Sequence, residues 1–255
     1  MKALEVDYRT ATVQPHQAAG FFVPKKITTN VKSTKKYYYM KSGTKQEMFE
    51  SEYIALQLLY EAVPTLVPRP IVWGKFAAIE TYYSVTEWID EDTEDIGRDR
   101  GTGLSLAQKV AKLHNTPAPT PDGYDARMYG FPTTTYCGST AQKNDWTASW
   151  AEFYGECRLR HICRLIEENH GSDNELNELL DTLVGNRSKG KFDYRDAIEP
   201  VTYDPSCSYA HSEFELYLMR MFGGFSAGFF NEYHQLVPKT DPKREYDDRM
   251  DLYEL

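Results

Sequence analysis

Pro200–Phe225 reads PVTYDPSCSYAHSEFELYLMRMFGGF, and the way this stretch divides decides the fold. Val201-Thr202-Tyr203 is a short β-prone run closed by Asp204-Pro205. Proline holds the residue before it extended and ends ladder pairing, so Asp204 is placed at the mouth of a strand. A carboxylate there can hold a magnesium ion in phosphate-transfer chemistry, although Asp-Pro is also an ordinary turn. After a polar turn, Glu213–Phe222 has helical spacing, and Gly223-Gly224 ends it.

Working back from this stretch, the first interpretable pair of strands is Lys26–Asn30 and Lys36–Lys41, joined by a polar turn. The second ends Tyr39-Met40-Lys41. A lysine closing a strand is ordinarily solvent-exposed, but in kinase folds such a lysine holds nucleotide phosphates. Thr44-Lys45-Gln46-Glu47 is a capping-box pattern opening a helix that reaches Ala62. Met48, Ala55, Leu56 and Leu59 make its apolar stripe, and Glu52 lies on that same stripe. A carboxylate buried alone is costly, so Glu52 needs a partner, and Lys41 is the candidate. The competing explanation is a glutamate near a helix N-terminus, favoured there by the dipole. Tyr82–Ile89 is a buried-looking strand. It is either plain core or, if the fold is that of a kinase, the edge strand and hinge at which Thr86, Glu87 and Trp88 would offer backbone groups to a nucleobase. Leu104–His114 and Trp146–His170 have helical patterns, and His114 is expected to be structural.

Composition limits the function classes. The chain has 255 residues, 41% hydrophobic and 26% charged, with a net charge of −9. Such a balance opposes broad binding to nucleic acid or anionic membranes. No apolar run approaches the ~20 residues of a membrane helix. Cys137, Cys157, Cys163 and Cys207 have no metal-site spacing and are expected as thiols in a reducing, cytoplasmic setting.

The ordered series Tyr39-Met40-Lys41, Met48–Glu52, Tyr129-Gly130-Phe131 with Thr135, Gly138, Gln142 and Asn144, then Asp204-Pro205, Tyr209-Ala210-His211-Ser212-Glu213 and Phe222-Gly223-Gly224-Phe225 closely resembles the fructosamine 3-kinase family. Its members are also called ketosamine or protein-ribulosamine 3-kinases. The resemblance spans residues 16–255. It implies an α+β, two-lobed protein-kinase-like fold. A small antiparallel-sheet lobe would cover residues 1–88 and a mainly helical large lobe residues 89–255. It also implies ATP and magnesium, with transfer of phosphate to the 3-hydroxyl of a ketosamine, either free or on a glycated protein. Lys41 would hold phosphates, Glu52 would position it, and Asp204 would bind the metal. Of the family's glycine-rich turn only Gly20 remains here.

One family element is not intact. A His-Gly-Asp-x-Trp-x-Gly-Asn loop is expected before Asp204, where its aspartate takes the substrate proton and its asparagine helps bind metal. The nearest match is Leu179–Asn186, which keeps Asp181, Gly185 and Asn186 in register. Yet Leu176, Leu179, Leu180 and Leu183 have i, i+3, i+4, i+7 spacing, which predicts a helix with Asp181 on its polar side. The resemblance then implies an internal loss and a C-terminus shorter than the family's. Two readings are expected in consequence: a ketosamine 3-kinase with Asp181 as its candidate proton acceptor, or a catalytically impaired, pseudokinase-like binding module or incomplete gene product of the same family.

Overall fold

The computed structural model describes residues 10–16, 22–31, 34–89, 103–185, 196–198 and 205–254. These pack as two compact units, one running to Lys109 and the other made mostly of residues from Val110 onward.

The first unit is a five-stranded sheet with one long helix. Its strands are β1 (Thr12–Pro15), β2 (Val23–Val31), β3 (Thr34–Gly43), β4 (Pro70–Lys75) and β5 (Tyr82–Glu87), in the order β1-β2-β3-β5-β4. Every neighbouring pair is antiparallel. In β3, Tyr39 pairs with Lys26 on one side and Thr86 on the other, and Lys41 pairs with Pro24 and Ser84. Alternation therefore puts Tyr37, Tyr39 and Lys41 on one face with Lys26 and Thr86. Ile27, Met40 and Val85 form a core on the opposite face, joined by Tyr38, Ile71, Val72, Phe76 and Tyr83.

Helix α1 (Gln46–Ala62) buries Met48, Phe49, Ala55, Leu56 and Leu59, the stripe expected from its spacing with Phe49 added. A fully buried leucine or phenylalanine contributes about 1.5–3 kcal/mol, so this stripe fixes the helix far more firmly than its end does. The N-cap is in fact Lys45, without a side-chain cap bond, so the capping box expected at Thr44 and Glu47 does not form.

The second unit is mainly helical. Helix α2 (Leu106–Asn115) leads into it, followed by a small hairpin of β6 (Thr135–Cys137) and β7 (Thr140–Gln142). The single helix expected over Trp146–His170 is three pieces. Helix α3 (Trp150–Phe153) passes into a π-helical turn, Tyr154–Leu159, and then into α4 (Arg160–His170). Gly171, at φ 90°, ends α4, and α5 (Asn174–Gly185) follows as a separate helix. The remaining elements are β8 (Asp196–Ile198), which pairs with β9 (Tyr209–His211), then α6 (Ser212–Phe222), α7 (Ala227–Leu236) and α8 (Tyr246–Tyr253).

The core of this unit is aromatic: Tyr129, Trp150, Phe153, Tyr154, Tyr217, Tyr246 and Tyr253 pack with Cys157, Ala210 and Met250. Trp150 Nε1 donates to Tyr253 Oη at 3.0 Å, so the largest ring meets its polar need inside the core. At Gly130 the backbone has φ 146°, and an added Cβ would stand 2.6 Å from the Trp146 ring. Only glycine fits there. None of the four cysteines is in a disulfide. Among the described residues no helix is long and apolar enough to cross a membrane.

Candidate active site

Strand β3, central in the sheet, carries Lys41, and α1 brings Glu52 to meet it. The Lys41 Nζ–Glu52 Oε2 distance is 2.8 Å, with the side chains 4% and 12% exposed. The ammonium also lies 4.6 Å from the centroid of the Phe22 ring, which in turn packs on Phe49. Burying a lysine stabilises nothing by itself, since it loses its water shell. A sequence that keeps one at 4% exposure and aims a carboxylate at it has fixed a cation in one place. Such a cation can hold a polyanion such as a phosphate chain.

The same sheet face is lined with rings. Trp88, just past β5, lies 5.0 Å from His16 and 6.5 Å from Tyr39, centroid to centroid. Lys26 Nζ sits 3.9 Å from the centre of the Trp88 ring and 4.8 Å from that of Tyr37. The Trp88 Nε1 is buried, with no hydrogen-bond partner among the described residues. Thr86 is buried on β5, and its hydroxyl donates to the Glu87 carbonyl at 3.1 Å. The Glu87 carboxylate accepts from Arg69 N at 2.7 Å, and its own N–H donates to the Arg69 carbonyl at 3.0 Å. The Glu87 N–H is thus already engaged, and the side chains of this edge, which the sequence argument left aside, supply an aromatic, cationic surface.

Asp181 is on α5, 69% exposed, with Oδ1 2.7 Å from Arg160 Nη1. Its segment has the helical form that the leucine spacing predicts, and its carboxylate is engaged by a guanidinium from α4. Gly20, Asn186 and Asp204 lie outside the described residues. Among those that are described, no three His, Cys, Asp or Glu side chains gather as a metal set. Asp204 and Asn186 would offer a carboxylate and a carboxamide, both hard oxygen donors, and that chemistry suits magnesium.

Beyond Asp204-Pro205 the chain is strongly anchored. Cys207 and Ser208 are fully buried. His211 contacts Tyr253 Oη through Nδ1 and Thr240 Oγ1 through Nε2, both at 2.8 Å. Glu213 accepts from Arg249 twice, Nε to Oε2 at 2.6 Å and Nη2 to Oε1 at 3.1 Å, and from Thr240 N at 2.8 Å. These two residues of the Tyr-x-His-x-Glu run are structural anchors that sequence reasoning left without roles. Glu213 could have been found by the logic applied to Glu52, as an acid early in an apolar helix that needs a cation. Burial lowers His211 to about 4, aided by Arg249 and opposed by Glu213. It lowers His114 to about 3, with the positive field of His211 adding to the effect. His114 Nδ1 is 2.6 Å from Tyr233 Oη, the structural place expected for it.

Comparison with known proteins gives a consistent result. A family model described as fructosamine kinase matches residues 23–255. A chloroplastic protein-ribulosamine 3-kinase of Arabidopsis thaliana is 31% identical over 226 residues, covering 82% of this chain and 64% of its own length. A ketosamine-3-kinase of Mus musculus is 32% identical over 247 residues, covering 85% of this chain and 79% of the mouse protein. Thus the chain spans just under two thirds of the plant relative. Among solved structures, one described as a fructosamine-3-kinase from Haemophilus somnus superposes with a TM-score of 0.78 at 18% identity, over 99% of this chain and 84% of that one. Another from Thermobifida fusca has a TM-score of 0.74 at 17% identity, over 99% and 88%. These two likenesses concern the fold, a protein-kinase-like architecture with an antiparallel-sheet lobe and a helical lobe.

Proposed function

The chain belongs to the fructosamine kinase family, and from that premise we propose that it transfers the γ-phosphoryl group of ATP to the 3-hydroxyl of a ketosamine. The substrate would be a sugar joined to an amine, either free or on a glycated protein lysine, in a reducing cytoplasmic setting. The single observation carrying the proposal is the buried Lys41–Glu52 pair at 2.8 Å, a fixed cation on the central strand of the sheet.

Each residue has a stated part. Lys41 holds the phosphate chain, and Glu52 keeps its ammonium in place. Thr86, Glu87 and Trp88 border the base, with Trp88 and Tyr39 giving rings for it to lie against. Gly20 lets the backbone approach the phosphates. Asp204 and Asn186 would hold magnesium, which when bound neutralises charge on the phosphates. In the transfer, the substrate oxygen bonds to the γ-phosphorus, the bond to the β-bridging oxygen breaks, and the hydroxyl proton passes to a base. Asp181 is the candidate base, yet its carboxylate is engaged by Arg160 on the outside of α5. That pairing favours a second reading, a chain that binds magnesium and nucleotide and transfers phosphate slowly. General-base assistance is worth about 10²–10⁴ in rate.

Calorimetry with ATP and magnesium tests the proposal. Lys41→Met and Asp204→Asn should each weaken binding at least tenfold, and Asp204→Asn should also abolish its magnesium dependence. Unchanged affinity in both variants would remove the basis for the assignment.

A further inference from the structure

We propose that Arg158, Asn144 and Thr135 are positioning residues that hold the chain just after Asp204. The inference rests on Asp204 as the metal-binding aspartate of the proposed reaction.

The three side chains form a line of hydrogen bonds ending on the backbone of Cys207. Arg158 Nη2 donates to Asn144 Oδ1 at 3.0 Å. Asn144 Nδ2 donates to Thr135 Oγ1 and to the Thr133 carbonyl, each at 2.9 Å. Thr135 Oγ1 donates to the Cys207 carbonyl at 3.3 Å. The direction of the line is forced. A guanidinium can only donate, so the asparagine must turn its oxygen to Arg158 and its nitrogen to Thr135. Thr135, having accepted that bond, has its one hydroxyl proton left for Cys207. Thr135 is 0% exposed, Asn144 5%, Arg158 7% and Cys207 0%, so water does not compete for these groups. A side bond from Ser206 Oγ to Gln142 Oε1, at 3.1 Å, ties the preceding residue to the same hairpin.

Two features otherwise without purpose follow from this line. The first is the π-helical turn at Tyr154–Leu159, from which Arg158 projects. A one-residue expansion turns everything beyond it by about 100° relative to a plain α-helix. Here it lets α3 keep its aromatic face in the core while Arg158 faces inward. Arg158 Nη1 is then held by the Lys143 carbonyl at 2.7 Å, and its guanidinium lies 4.7 Å from the Phe153 ring. The second is the hairpin itself. Two strands of three residues are not stable alone, and this pair is held from beneath by Asn144 and by His161 Nε2, 2.7 Å from the Ala141 carbonyl. The hairpin thus serves as a rigid bracket for Ser206–Ser208. Pro205, fixed in φ, is the only residue between that bracket and Asp204.

The test uses the full chain and the variants Thr135→Val, Asn144→Asp and Thr135→Ser. The first two are isosteric and break the line, and the third keeps the hydroxyl. Amide hydrogen exchange at Ser206–Ser208 is measured without nucleotide, and ATP affinity is measured with magnesium and with EDTA. Valine and aspartate should speed exchange at Ser206–Ser208 about tenfold, the worth of one hydrogen bond. They should reduce about tenfold the factor by which magnesium tightens ATP, with affinity in EDTA unchanged. Serine should keep wild-type values, and Asn144→Asp carries the test if Thr135→Val does not fold. Wild-type exchange and an unchanged magnesium factor in both breaking variants would overturn the inference. So would an equal loss of affinity with and without magnesium, which marks general damage. A wild-type chain whose ATP affinity ignores magnesium would instead refute the role of Asp204, while the exchange result would still report on the bracket.

Discussion

Lowering the pH from 6.5 to 5.0 should cost this fold about 3 kcal/mol, through two buried histidines. His114 and His211 are buried, and burial, the leading cause in each case, brings them to about 3 and about 4. In the unfolded chain both titrate near 6.5. Below that value the unfolded state gains two protons that the folded state refuses. Their stabilisation is therefore complete above pH 6.5 and is lost as the pH falls toward the folded values. Each group costs about half of 1.4 kcal/mol per pH unit at pH 6.5 and close to the full 1.4 by pH 5.5, and the slope eases near pH 4 as His211 begins to charge inside the fold. Burial also lowers His234, which adds in the same direction. The loss is large beside a typical total stability of about 5–15 kcal/mol. Urea unfolding at 25 °C, followed by tryptophan fluorescence at pH 7.5, 6.5, 5.75 and 5.0, measures it. His114→Asn should be less stable at pH 7.5 and should show about half the wild-type slope. An unfolding free energy at pH 5.0 within 1 kcal/mol of that at pH 6.5 would refute the reasoning.

Three further outcomes are expected. Glu213→Gln leaves the Arg249 guanidinium without its carboxylate and should lower stability by about 3–5 kcal/mol in the same urea assay; a loss below 1 kcal/mol would mean the pair is dispensable. Gly130→Ala puts a methyl 2.6 Å from the Trp146 ring at a φ that only glycine takes easily, so it should cost about 2 kcal/mol or more and lower the thermal midpoint by several degrees. Glu52→Gln frees the Lys41 ammonium to move and should weaken ATP binding about tenfold by calorimetry, with the far-ultraviolet circular dichroism of the chain preserved.

The sequence was most informative where one residue contradicted its surroundings. Glu52 stood on an apolar stripe, and the cost of burying it alone implied a partner, which is Lys41 at 2.8 Å. The leucine spacing around Asp181 predicted the helix that α5 forms, since four apolar residues at helical intervals outweigh three matched letters of a catalytic loop. Local signals failed where tertiary contacts decide. Thr44 and Glu47 have the letters of a capping box, but packing of the Phe49 face set the start of α1, and the cap bond is absent. The π-turn near Arg158 differs from an α-helix by one residue, which no hydrophobic period of this length resolves. Strands of three residues such as Thr135–Cys137 are too short to stand alone, and the tertiary bonds that hold this hairpin, those of Asn144 and His161 among them, are invisible in the letters. The aromatic face around Trp88 went unread for a related reason, since His16, just past β1, and Lys26, on β2, reach it from distant parts of the sequence.

Phosphate transfer itself is followed by incubating excess enzyme with γ-labelled ATP, magnesium and fructosyl-lysine, and identifying the product by mass spectrometry and phosphorus NMR. Label should appear on the sugar 3-hydroxyl, about 10²–10⁴ more slowly than with the mouse ketosamine-3-kinase, and should vanish in Lys41→Met. Absence of sugar-bound label over many hours, or label that persists unchanged in Lys41→Met, would contradict the assignment of this chain as a ketosamine kinase.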